Sequence, residues 1–387
     1  MFDKKITDLF SASLFGTKLS FDAGDYGTVF EHMKQQAVAV LPAGLLGELP
    51  LSEELRAQWK KYIYRQIFHF QTLARAEQEL LNAMDAAGIC VLVLKGTSAA
   101  RYYPIPQYRT MGDIDLLIKP ADHQQAANVL TQIGFIENTN DLQAYVGRHR
   151  AFQRGEAHVE LHSYFAKAGT PSQNELLNKR LFIDMVPHRH IPTEIVNGLV
   201  LIEHIAQHLE TGIGLRQMVD WMMYVNAVLD DDMWEHSFRE AAKETGVEML
   251  AVTVTRMCQL YLGLPKAITW SNVANDNVAH ELMTYVMNSG NFGIKREKLM
   301  SGSLTRIPTI TKPATFLRYL QKEGRTSWTA AHKHKFLTPF CWLYQLIHYV
   351  YVAKMNHINM KKATEMRQER KKRKKLFEEL GVSQNNK

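Results

Sequence analysis

The sequence predicts an α+β protein, with a small mixed β-sheet core flanked by N-terminal helices and followed by a large helical C-terminal region. Three observations predict it. An apolar, partly β-branched run at 89–94 stops at Lys95-Gly96, as strands do where glycine supplies a turn that a Cβ would obstruct. A second run, Asp113-Ile114-Asp115-Leu116-Leu117-Ile118, opens with polar and apolar residues in alternation, the period of a strand. Around these runs the apolar spacing is helical, over 53–87 before the core and from about 194 to the end of the chain.

In order, 1–60 reads as an N-terminal helical region, with a break at Pro42 and the glycines around it. The long helical pattern at 53–87 carries Tyr62, Ile67, Leu73, Leu80 and Leu81, and Gly88 is its stop signal. Residues 61–165 form the core module. Within it, 120–134 reads as a helix closed by Gly134, and 135–165 as two further strands. The second of these is Ala157-His158-Val159-Glu160-Leu161-His162, with Val159 and Leu161 on one face and His158, Glu160 and His162 on the other. Residues 166–290 read as a helical domain. Residues 291–387 read as a Gly-, Ser- and Pro-rich connector to about 335, an apolar helix at 340–353 and a basic tail.

The chemistry concentrates at 91–119. Asp113 and Asp115 share one face of a strand, about 6.6 Å apart along it, so their carboxylates can converge on a pair of divalent cations. Thr97 and Ser98 follow Gly96 and offer hydroxyls and a helix N-cap. Backbone amides at such a turn can hold a phosphate, and Lys95 adds a point charge.

Leu94-Lys95-Gly96, Tyr103-Pro104, Arg109 and the run from Asp113 to Leu117 together resemble the nucleotidyltransferase superfamily that includes DNA polymerase β. The stretch is most similar to a bacterial nucleotidyltransferase family of uncharacterised substrate. Thr97 stands where a serine is usual, and the gap from the turn to Asp113 is longer than in polymerase-like members. The resemblance implies a Mg²⁺-dependent enzyme moving a nucleoside monophosphate from a nucleoside triphosphate to an acceptor hydroxyl. Asp113, Asp115 and Glu160 would be the catalytic residues and would hold two Mg²⁺ ions. Lys95, Gly96, Thr97, Ser98 and Arg109 would hold the nucleotide. The segment 208–221 also resembles the family, which implies that His208 or Arg216 faces the cleft, and His162, on the polar face of its strand, could touch phosphate or acceptor. Arg216 and Asp220, four apart on a helix, could equally pair with each other.

A zinc site built from His158 and His162 fails on geometry, because residues i and i+4 of a strand lie about 13 Å apart. His204 and His208 share a helix face, but the run between them is not HExxH and no third ligand is evident.

Composition is that of an ordinary globular protein, at 46% hydrophobic and 22% charged residues. Three widely spaced cysteines without CxxC spacing suit a reducing, cytoplasmic setting, and no export signal or transmembrane segment is expected. The 340–353 run is too short for a bilayer span, which needs about 20 residues. The tail at 361–375 holds nine Lys or Arg against two Glu. Such a run reads as a solvated end, with RNA or an anionic surface as candidate partners. The acceptor reads as a small molecule. The alternatives are a defence-type or antitoxin enzyme modifying tRNA or a protein, and a catalytically weak nucleotide-binding module.

Overall fold

The computed structural model describes residues 4–18, 24–138, 149–209, 211–264, 268–289, 313–355 and 360–382. Its centre is a five-stranded sheet in the order β1-β2-β5-β4-β3. The strands are β1 (Val91–Val93), β2 (Ile114–Ile118), β3 (Ile136–Glu137), β4 (His149–Arg154) and β5 (Ala157–His162). β2 pairs in parallel with β5, and every other pairing is antiparallel, so the sheet is mixed. The stretch 135–165 thus carries three strands where the sequence reads as two. β3 was overlooked because two residues are too few to show a period. Residues 139–148, between β3 and β4, lie outside the description.

Helices α1 (Lys4–Phe15) and α2 (Tyr26–Gln35) precede α3 (Glu53–Ala86), which runs for 34 residues, about 50 Å. Ser52 caps α3 by accepting from the Leu55 amide, and Glu53 and Glu54 sit at the positive end of its dipole. Gly88 at φ +70° ends it, with the Ile89 amide bonded back to the Met84 carbonyl at 2.9 Å.

The period-2 pattern divides the sheet's side chains between two environments. Val91, Val93, Ile114, Leu116, Ile118, Val159 and Leu161 face Leu73, Leu80 and Met84 of α3 and Leu130 of α5 (His123–Gln132) in one apolar core. Leu92, Leu94 and Leu117 join a second, larger core shared with α1, α2 and the C-terminal helices. The amino-terminal half of α3 belongs to that second core, where Trp59 stacks on Phe30 at 4.7 Å and donates to the Ala39 carbonyl. One unbroken helix therefore joins both cores across position 60.

Beyond the sheet come α6 (Pro171–Asp184), α7 (Glu194–His208), α8 (Leu215–Ala227) and the helices Glu248–Tyr261 and Asp276–Ser289. Part of the expected connector, 291–312, lies outside the described residues. From Pro313 the chain is largely helical. Pro313–Ser327 packs along the Cys341–Met355 helix, with Ser327 Oγ donating to Gln345 Oε1 at 2.7 Å and Gln321 Oε1 accepting from the Trp342 amide at 3.0 Å. The basic tail is helical over Met360–Glu379, and Leu376, Phe377 and Leu380 at its end are buried in the larger core. No helix among the described residues is long and apolar enough to cross a membrane.

Candidate metal and nucleotide site

Asp113 immediately precedes β2 and Asp115 lies within it, on the face opposite Ile114 and Leu116. The parallel pairing sets Asp115 across from Glu160 and Leu117 across from His162. Residues paired in register share a face, so Glu160 points to the same side of the sheet as the aspartates. Carboxylate oxygens of Asp113, Asp115 and Glu160 lie within 4.8 Å of one another.

Cations from three directions balance this charge. Lys95 lies two residues past β1, just after Leu94 N donates to the Asp115 carbonyl at 3.0 Å, and its Nζ lies 2.9 Å from Asp115 Oδ2. His162 Nε2 lies 3.0 Å from Asp115 Oδ1 and 3.3 Å from Glu160 Oε2. Arg216 approaches from α8 with Nη1 donating to the Thr110 carbonyl, and its charge acts on Asp113.

The ionisation states follow. Burial works against the Asp115 carboxylate, which is only 2% exposed, yet Lys95 and His162 outweigh it and hold the group ionised below its ordinary range. Asp113 moves the other way, pushed up first by the charge of Asp115 and then by burial. Burial opposes the His162 imidazolium, but its bonds to Asp115 and Glu160 prevail and raise its pKa. Burial dominates at His208, brought down to about 4, with Lys95 adding repulsion.

The Lys95-Gly96 turn is as tight as expected. Gly96 has φ +63°, and a Cβ there would sit 2.9 Å from Met111 Cε. The following helix α4 (Thr97–Ala100) is one turn long and takes no side-chain cap, so Thr97 and Ser98 are not N-caps. Their hydroxyls staple the turn instead. Thr97 donates to Glu77 of α3, and buried Ser98 donates to Asn197 of α7 at 3.1 Å, while Asn197 in turn donates to Tyr102. Both hydroxyls are thus engaged within the protein, as Lys95 is with Asp115.

Arg109, assigned to the phosphates from sequence, is also engaged elsewhere. It is 4% exposed, and its Nε and Nη2 donate to the two oxygens of Asp220 at 2.7 and 2.8 Å while Nη1 donates to the Thr110 carbonyl. Tyr103 donates to the same Asp220 at 2.7 Å. Asp220 therefore accepts these hydrogen bonds from the loop ahead of β2, while its charge also acts on Arg216 of its own helix. A planar guanidinium makes two parallel bonds there, which outcompete a neighbour on the same helix face.

His204 and His208 form an edge-to-face ring pair, centroids 4.6 Å apart, and neither joins a metal-competent group among the described residues. The residue overlooked in the sequence is His149. β4 and β5 turn through Gly155-Glu156, which sets His149 opposite His162 with ring centroids 5.1 Å apart and His149 Nε2 3.7 Å from Glu160 Oε1. A two-residue hairpin turn with glycine first was the available signal.

Carboxylates able to hold divalent ions, on a small mixed sheet walled by helices, fit the nucleotidyltransferase class. A family model described as an uncharacterised nucleotidyltransferase matches residues 23–263, more than half of the chain, and the chain belongs to that family. The matched span contains every residue of the cluster and ends before the Pro313–Ser327 and later helices. No curated protein and no solved structure matches the chain.

Proposed function

We propose that the chain is a divalent-metal-dependent nucleotidyltransferase that moves a nucleoside monophosphate from a nucleoside triphosphate to the hydroxyl of a small molecule. The observation that carries the reading is the convergence of Asp113, Asp115 and Glu160 beside the Lys95-Gly96 turn, in a chain of this family. The carboxylates suit hard divalent ions. Their oxygens are close-set, and in the structure Lys95 and His162 supply the positive charge that Asp115 needs.

Two Mg²⁺ ions held by these three carboxylates would neutralise phosphate charge and ease loss of the acceptor's proton. Lys95 and the turn backbone hold the triphosphate. The acceptor oxygen bonds to the α-phosphorus, the bond to the β-phosphate bridging oxygen breaks, and pyrophosphate leaves. Glu160, far more exposed than Asp115, takes the acceptor proton. Arg216 and His208 line the helical side of the cleft. Arg109, through Asp220, braces the loop that delivers Asp113.

Incubating the full chain with each nucleoside triphosphate, Mg²⁺ and a metabolite mixture should release pyrophosphate and yield a product heavier by one nucleoside monophosphate. Absence of both with every triphosphate overturns the reading. A tRNA or protein acceptor is the second reading, favoured by the basic Met360–Glu379 helix. Modification of tRNA that is lost when the exposed Lys371, Lys372, Lys374 and Lys375 are replaced by Gln in a chain that circular dichroism shows folded, while small-molecule transfer is absent, would select it.

A further inference from the structure

We propose that His149, Glu160 and His162 form a second divalent-ion site, selective for a nitrogen-preferring ion such as Zn²⁺, Co²⁺ or Ni²⁺, which shares Glu160 with the carboxylate cluster. The ligand atoms of these three residues lie within 4.8 Å of one another. They come from adjacent strands in fixed register, His149 facing His162 and Ala151 facing Glu160, so the sheet itself sets their spacing.

Both imidazoles turn the same atom toward one carboxylate. His162 Nε2 is 3.3 Å from one Glu160 oxygen, and His149 Nε2 is 3.7 Å from the other. Bonds of about 2.0–2.1 Å from zinc to nitrogen and oxygen place neighbouring ligands of a tetrahedron about 3.4 Å apart, close to the two imidazole–carboxylate separations, and the imidazole pair lies within 4.8 Å. The imidazoles are largely buried, with side chains 9% and 12% exposed, whereas Glu160 at 32% leaves a side open to water or a ligand. Two histidines and a carboxylate with an open position is a donor set for borderline transition ions, whereas Mg²⁺ prefers oxygen throughout. The Asp113 and Asp115 side would keep the oxygen preference, so neighbouring positions would select different ions.

The proposal does not rest on nucleotidyl transfer, because ion binding is measured without nucleotide. The full chain is titrated with Co²⁺ by visible absorption and with Zn²⁺ and Mg²⁺ by calorimetry, on the parent, His149→Ala, His149→Gln and Asp113→Asn. Circular dichroism checks that each variant is folded. Expected are a Co²⁺ spectrum of mixed nitrogen and oxygen ligation, Zn²⁺ binding tighter than Mg²⁺, and a loss of more than about tenfold in Zn²⁺ affinity in both His149 variants. Asp113→Asn should keep the Co²⁺ spectrum. Unchanged Zn²⁺ binding in folded His149 variants, or loss of the spectrum in Asp113→Asn alone, overturns the second site and leaves the carboxylate cluster as it stands.

Discussion

Asp115 is buried, yet Lys95 and His162 keep it charged and hold its two oxygens in place. Removing that charge should remove function more than fold. Asp113→Asn and Asp115→Asn are each expected to lower transfer by about a thousandfold or more, because several kcal/mol of charge stabilisation is lost at the reacting phosphate. Full activity in both variants, measured as pyrophosphate release, would refute their assignment. Glu77, behind the turn, carries a different prediction. Burial pushes its carboxyl from an ordinary 4.5 up to about 7, against the Thr97 hydroxyl and the charge of Arg109. The folded state therefore binds this proton more tightly than the unfolded chain does. Its contribution is fully present below about pH 4.5 and is lost as pH rises through about 7, a change of about 3 kcal/mol. Urea unfolding at pH 5 and pH 8 should show stability falling with pH from this group, and Glu77→Gln should flatten that part of the slope. An identical slope in the variant would show that Glu77 is not its source.

At the scale of elements, the site depends on strand register and on one brace. Parallel pairing of β2 with β5 was not readable from either strand alone. Their faces were readable, because Asp-Ile-Asp-Leu and His-Val-Glu-Leu-His both alternate polar with apolar. The shared face of Asp113, Asp115 and Glu160 follows from that alternation together with the family resemblance. α3 was readable too, since its apolar positions recur at helical spacing and Gly88 marks its end. The Arg109–Asp220 pair was not, because its partners are 111 residues apart and only the three-dimensional packing of α8 against the loop joins them. The resemblance pointed to Arg109 as important, but local sequence could not separate a ligand contact from a buried brace. Asp220→Ala should cost about 3–5 kcal/mol, as expected when one partner of a buried ion pair is removed and the other charge is stranded. Urea denaturation measures this. A loss under 1 kcal/mol would mean that the loop carrying Asp113 is held by other contacts.

Across the whole molecule, the C-terminal end of the described chain returns to the core. Leu376, Phe377 and Leu380 bury in the larger core, where Phe377 meets Tyr285 edge to face with centroids 5.7 Å apart. The charge run ahead of them made this end read as solvated, since three apolar residues within five are too few to establish a helical period. Phe377→Ala should therefore destabilise the molecule by about 3–5 kcal/mol in urea unfolding. A neutral result would detach the tail from the fold. The Cys341–Met355 helix was uninformative for a related reason. It is apolar on all sides, so sequence could not say which face packs, and Ile347, Val350 and Tyr351 remain exposed.

The central claim is that one acidic face of the sheet and the Lys95-Gly96 turn together receive a metal–nucleotide complex. A crystal structure of the chain with Mg²⁺ and a triphosphate analogue that cannot be cleaved at the α-phosphorus tests it most directly. The expected result is Mg²⁺ bound by Asp113 and Asp115, with the phosphates against Lys95 and the turn backbone. A triphosphate bound on another surface, with Lys95 still paired to Asp115, would contradict it.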